Sequence, residues 1–208
     1  MTSSLGFFIN SFVTIFSVLD PFGAAVILLA MTAGSSARGM DEFAIRSVKT
    51  AALALAAFTV AGGMIFSFFG ISINALLVAG GLILVKISFK MLEGAPLASG
   101  GYETAANETT ASDDNAIIPM AVPILAGPAA ITTVTVFASR AEGVADWVAL
   151  IAALTLALFL TSVILRNSGK MAELLGGTGL RILTRLMGLI LIAMGVEFAL
   201  SGLKGYFG

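Results

Sequence analysis

Leu19-Asp20-Pro21-Phe22-Gly23 lies in the middle of an apolar stretch that runs from Leu5 to Met31. Crossing a bilayer takes about 20 apolar residues, and this stretch is long enough. An ionisable residue beside a proline is expensive there twice over. Hydrocarbon solvates the carboxylate poorly, and the proline leaves backbone groups without partners. Such a break persists only where it is buried in protein or lines a water-filled cavity. Ala126-Gly127-Pro128 interrupts another apolar stretch, Ala116–Ser139, half a chain length later. Two breaks, one in each half, are the sequence mark of a substrate site in a secondary transporter.

Working outward, composition sets the class. The chain is 58% hydrophobic and 11% charged, against about 25% charged for a soluble domain. Its mean hydropathy is +1.04. These values predict an all-α polytopic membrane protein whose 208 residues are used up by six spans and their loops. The expected spans are Leu5–Met31, Phe43–Phe69, Ile73–Leu92, Ala116–Ser139, Ala145–Leu165 and Leu180–Leu203. Gly176-Gly177-Thr178-Gly179 reads as the connection before the last of them. Residues 94–115 carry Glu103, Glu108, Asp113 and Asp114 with no Lys or Arg, and read as a flexible acidic loop. The expected division is a first repeat over 1–93, that loop, and a second repeat over 116–208.

Several function classes drop out. A net charge of −1 gives no case for nucleic-acid binding, and with no Cys and no His, disulfides, thiol chemistry and His-based metal sites are excluded. An aspartyl protease needs a second carboxylate at the depth of Asp20, and a rhomboid-like protease needs His, so no enzyme is expected. Met1–Asn10 lacks the basic start of a cleaved signal peptide and reads as the beginning of helix 1.

Basic residues orient the chain. With both termini outside, the cytoplasmic side of the inner membrane receives Arg38, Arg46, Lys49, Lys86, Lys90, Arg166, Lys170, Arg181 and Arg185, leaving Arg140 and Lys204 outside. Three spans per half is an odd number, so the second half must insert upside down. The expected plan is two inverted three-helix repeats, helices 1 and 4 broken at proline.

Leu19-Asp20-Pro21-Phe22-Gly23, Phe69-Gly70-Ile71-Ser72 with Ala79-Gly80-Gly81, the run Pro119–Pro128 and Thr184–Leu191 together resemble the motifs of MarC-family membrane proteins, within the lysine-exporter-like group. The resemblance covers nearly the whole chain. It implies six helices in a 3+3 arrangement and transport of small neutral amino acids such as glycine and alanine. Ala24 and Ala129 stand where the family motifs usually carry asparagine and glycine.

The candidate site residues follow from the breaks. Asp20 is a candidate for binding a substrate ammonium or a coupling H+ or Na+; its bland alternative is a cap on the half-helix begun by Pro21. Half-helices starting at Pro21 and Pro128 present free N–H groups to an anion, and Phe22, Gly23, Ala126 and Gly127 flank them. Thr132 and Thr133, one turn on, can bond substrate or their own backbone. Lys86 can pair with Asp20 or snorkel, and Glu197 is a gating candidate or an interfacial residue. Asn10, Ser11 and Thr14 can line a vestibule or bond between helices. No cofactor is expected beyond the coupling ion. The implied partners are the lipid bilayer, a small-molecule substrate and, left open, further copies of the chain. Rival readings are an exporter of another solute or a metal cation, and a channel.

Overall fold

The computed structural model describes residues 4–32, 36–93 and 125–207. The acidic segment 94–115 and residues 116–124 of the fourth expected span lie outside them. The described residues form α1 (Ser4–Leu19), α2 (Pro21–Met31), α3 (Ala37–Phe68), α4 (Ile73–Glu93), α5 (Pro128–Arg140), α6 (Val144–Arg166) and α7 (Ser168–Phe207). Five stretches among them are long and apolar enough to cross a membrane: Ser4–Leu29, Arg38–Phe68, Ile73–Glu93, Val144–Arg166 and Ser168–Phe207. Helices satisfy their own backbone groups, which is why lipid-length apolar runs take this form.

Two boundaries differ from the sequence expectation. α3 begins at Ala37 rather than Phe43 because Ser36 caps it, its hydroxyl accepting from Gly39 N–H at 3.2 Å. α7 begins at Ser168, and the glycine cluster is absorbed as a kink. Gly176 alone leaves helical geometry, at φ 60°, a conformation glycine adopts without steric penalty.

Contacts between distant residues sort the helix termini into two ends. At one end Phe7 meets Phe137 edge-on at 5.8 Å between ring centres, and Asn74 donates to the Gly205 carbonyl at 2.6 Å. The α3–α4 hairpin is also there, closed by Gly70 at φ 70° and by Ser72, which accepts from Ala75 N–H at 3.1 Å. At the other end Arg166 forms a two-pronged ion pair with Asp41, and Ser168 lies against Met40.

The packing pairs have an internal symmetry. α1 and α2 pack on α6, and α5 packs on α3; α4 touches α5, and α7 touches α1 and α2. Exchanging the α1–α2 span with α5, α3 with α6 and α4 with α7 maps each of these pairs onto another. The α3–α6, α4–α7 and α1–α5 pairs map onto themselves.

The largest of these interfaces, α4 on α7, depends on three glycines seven residues apart. Gly188, Gly195 and Gly202 lie against Ser88–Met91, Gly81–Val85 and Asn74–Val78, so the helices run antiparallel. A seven-residue repeat keeps one seam facing the partner, and small residues let backbones approach, which is how helices associate in lipid. A Cβ on Gly195 would sit 2.7 Å from the Gly81 carbonyl oxygen and 3.0 Å from Leu84 Cβ. Gly195→Leu is therefore expected to cost about 3 kcal/mol or more, the upper range for overpacking. Gly63→Ala, where nothing lies within 4 Å, should be silent. Thermal unfolding of the two variants in detergent checks this pair.

Candidate functional site at the two helix breaks

Asp20 occupies the joint between α1 and α2 in the left-handed region, φ 43° and ψ 63°. It is the one non-glycine with positive φ among the described residues, and aspartate is among the few residues that tolerate it. Its amide donates to the Ser17 carbonyl at 3.1 Å, while its own carbonyl accepts from Ala24 N–H at 2.9 Å. The side chain caps α2, with Oδ1 accepting from Gly23 N–H at 3.2 Å. The capping alternative is thus what the geometry displays. It uses one carboxylate oxygen, and Oδ2 has no partner among the described residues.

Gly127 occupies the equivalent joint before α5, with an extended backbone and no side-chain cap. The first intrahelical bond runs from Ile131 N–H to the Gly127 carbonyl at 3.0 Å. The amides of Ala129 and Ala130 precede it, on a terminus whose dipole favours negative charge. The two half-helix starts are therefore unlike. The start of α2 already holds a carboxylate, its own Asp20, and among the described residues the start of α5 holds none.

Both joints belong to one apolar cluster that includes Leu19, Ala24, Ala25, Ala126, Ala129 and Ala130. Their depths agree. Measured from the Phe7–Phe137 contact, Asp20 is about 20 Å along α1 and Pro128 about 14 Å along α5, so the two are about one helical turn apart in depth. Pro21, Gly23, Ala126 and Gly127 are buried, Phe22 is half-buried with its ring edge-on to Phe16, and Pro128 is exposed.

α5 is enclosed nearly all round, and its threonines differ in what they do. The Thr133 hydroxyl donates to the Ala129 carbonyl at 2.8 Å, its own backbone four residues back. Thr135 donates across to the Phe58 carbonyl of α3 at 3.4 Å, beside Gly62, where any Cβ would collide with it. Thr132 is 3% exposed and packs on Gly80, whose Cβ would come within 2.9 Å of Thr132 Cβ. Among the described residues its hydroxyl makes no hydrogen bond. Its Oγ1 lies toward α4, 3.1 Å from where a Cβ on Gly80 would stand, one turn above the α5 start.

Lys86 and Glu197 are not brought to the joints. Both are exposed on the outer faces of α4 and α7, and no ion pair joins Lys86 to Asp20. Ser11 donates to the Phe7 carbonyl at 2.7 Å, and Thr14 to Asn10 Oδ1 at 3.4 Å, bonds within α1 rather than between helices. Sequence reasoning did not single out Thr135, Gly62 or the Arg166–Asp41 pair. A cross-helix partner far away in sequence has no local signal, although the glycine spacing of α7 was there to read.

The sequence matches the model of the MarC family of integral membrane proteins over residues 5–207. It is 36% identical to a UPF0056 membrane protein of Methanocaldococcus jannaschii over 97% of this chain and 98% of that one. A UPF0056 membrane protein of Bacillus subtilis is 32% identical over 97% and 96% of the two chains. One of Escherichia coli is 28% identical over 94% and 91%. No solved structure matches. With its membrane-length helices and end-to-end family match, the chain is a multi-pass integral membrane protein belonging to the MarC family.

Proposed function

We propose that this protein is a secondary transporter of small neutral amino acids, working by alternating access around the joints at Asp20 and Gly127. The carrying observation is the asymmetry of the two half-helix starts. A zwitterion needs a place for a carboxylate and a place for an ammonium. The uncapped start of α5 suits the carboxylate, with Thr132 Oγ1 one turn on. Asp20 Oδ2 suits the ammonium, because Oδ1 is already held by Gly23 N–H. Self-capping by Asp20 also removes the conflict of two carboxylates competing for one terminus.

The packing symmetry supports the alternating-access part. α4 and α7 form one tightly seamed pair, and the other helices form a group containing both joints. Two arrangements of nearly symmetric halves about a central site give inward and outward access in many transporters. In this reading the end bearing Arg38, Lys170 and Arg166 faces the cytoplasm, by the excess of basic residues there, and both termini lie on the outer side of the cytoplasmic membrane. A proton or Na+ at Asp20 supplies coupling. The protein has no enzymatic role in this reading.

The test is counterflow in proteoliposomes. Vesicles are preloaded with unlabelled alanine, and entry of labelled alanine is followed without an imposed ion gradient. A transient overshoot that glycine or serine suppresses is the expected result. A flat trace from folded, reconstituted protein would remove amino acids as substrates and move other small solutes and metal cations to the front.

A further inference from the structure

We infer that the Asp41–Arg166 ion pair is a one-sided latch, which holds the two halves together at one end of the protein and parts when the carrier exposes its site there; the inference rests on the alternating-access reading. The pair joins α3 of the first half to α6 of the second. Arg166 Nε donates to Asp41 Oδ1, and its Nη2 donates to Oδ2 at 3.3 Å. This two-pronged geometry fixes direction as well as distance, so it registers one helix end on the other. Beside it Met40 lies against Ser168, and a Cβ on Gly169 would come within 3.2 Å of Met40 Cε. Phe43, Ala44, Leu165 and Ser168 are all buried at this end.

The other end of the same interface is built differently. The step in residue number from Pro21 to Pro128 is also the step from Ala37 to Val144, the first residues of α3 and α6, and from Gly81 to Gly188 in the α4–α7 seam. Exchanging α3 with α6 by that step turns their interface end over end. Where α3 begins and α6 stops becomes where α6 begins and α3 stops. The step carries Asp41 to Val148 and Arg166 to Thr59, which cannot form an ion pair. The Thr59 hydroxyl donates to the Leu55 carbonyl of its own helix at 2.7 Å, and Val148 is 61% exposed. From Gly63 to Phe68 no residue of α3 is buried, and none of α6 is buried from Val144 to Val148.

A carrier built from inverted repeats reaches its second state when each half takes up the arrangement that the other has now, so its two ends swap structures. An interface that is paired and packed at one end, and neither at the other, is one side of that exchange. The chemistry of the pair suits a switch. The Asp41 side chain is 35% exposed and that of Arg166 49%, so water solvates both when they part. A pair in such a setting shifts an equilibrium by up to about fivefold, enough to bias two nearly equal states and too little to lock one. Breaking a buried pair would cost far more and would suit a permanent join.

The chain has no cysteine, so spin labels attach only where cysteines are introduced. The experiment is double electron–electron resonance on the full chain in proteoliposomes. Labels at Lys49→Cys/Lys170→Cys report the latched end and labels at Met64→Cys/Val148→Cys the other, all four positions being exposed. Arg166→Gln is expected to raise the longer-distance population at the latched end by up to about fivefold and to shorten the other pair reciprocally. Asp41→Arg/Arg166→Asp, which rebuilds the pair in reverse, should restore the original distances. Unchanged distances in Arg166→Gln, lengthening of both label pairs together, or no recovery with the reversed pair overturns the latch. Distances are read without transport, so the two readings fail separately. A reciprocal shift beside a flat counterflow trace keeps the latch and removes the assigned substrate. Unchanged distances beside an overshoot remove the latch and leave the carrier.

Discussion

Asp20→Asn is expected to reduce alanine counterflow about a hundredfold while leaving the protein folded, the worth of a charge-assisted contact near 3 kcal/mol. The substitution separates two roles that the geometry superimposes. Asparagine caps helices as well as aspartate does and tolerates the left-handed backbone, so the bond to Gly23 N–H and the φ of 43° are preserved. What disappears is the charge on Oδ2, the group assigned to the substrate ammonium or coupling ion. Asp20→Ala removes both roles. It should lose transport and also about 2 kcal/mol or more of stability, from the missing cap and the strained backbone. Wild-type flux in Asp20→Asn, with destabilisation confined to Asp20→Ala, would make Asp20 a cap and nothing more. Counterflow and thermal unfolding of the two variants side by side decide it.

Gly127→Asp tests the other joint, with an effect of similar size. Gly127 is already extended, at φ −66° and ψ 172°, so a side chain there needs no special backbone. An aspartate at this position would cap α5 as Asp20 caps α2, adding a few tenths of a kcal/mol of helix stability over glycine. It would also place an internal carboxylate on the amides assigned to the substrate. Transport should be lost about as completely as in Asp20→Asn, with unfolding temperature held or raised. Gly127→Ala fills the same Cβ space without a cap and should keep most of the flux. If the Ala and Asp variants transport equally, the α5 start does not bind the substrate carboxylate. If both lose transport and fold poorly, space at Gly127 is the constraint, and the site assignment fails there.

The two substitutions together ask whether the joints differ in kind. In an inverted repeat the halves begin as equivalents, yet one joint carries an ionisable cap and the other a bare glycine. A zwitterion is itself asymmetric, and two unlike joints match its two charges. A symmetric pair of bare termini would suit a dianion better. The reading therefore stands on a difference between Asp20 and Gly127, not on either residue alone.

Much of this was legible in the chain. Long apolar runs predict helices because lipid leaves backbone groups no other partners, and the Asp20-Pro21 and Gly127-Pro128 breaks were visible as ionisable or helix-breaking residues where neither belongs. Those properties are local or periodic, so a single sequence carries them. The outward placement of Lys86 and Glu197 was not legible. Depth along a helix can be counted in residues, but the face a residue presents depends on which neighbours pack against that helix. The same holds for the threonines of α5. Three near-identical hydroxyls within four residues bond the local backbone, a neighbouring helix and nothing, according to what surrounds each. Residue type and spacing establish the membrane class, the number of expected spans and the positions of the two joints. Packing decides which hydroxyls bond across helices and how the halves meet, because those outcomes are set by contacts between residues fifty or more positions apart, such as Phe58 with Thr135, Asp41 with Arg166 and Asn74 with Gly205.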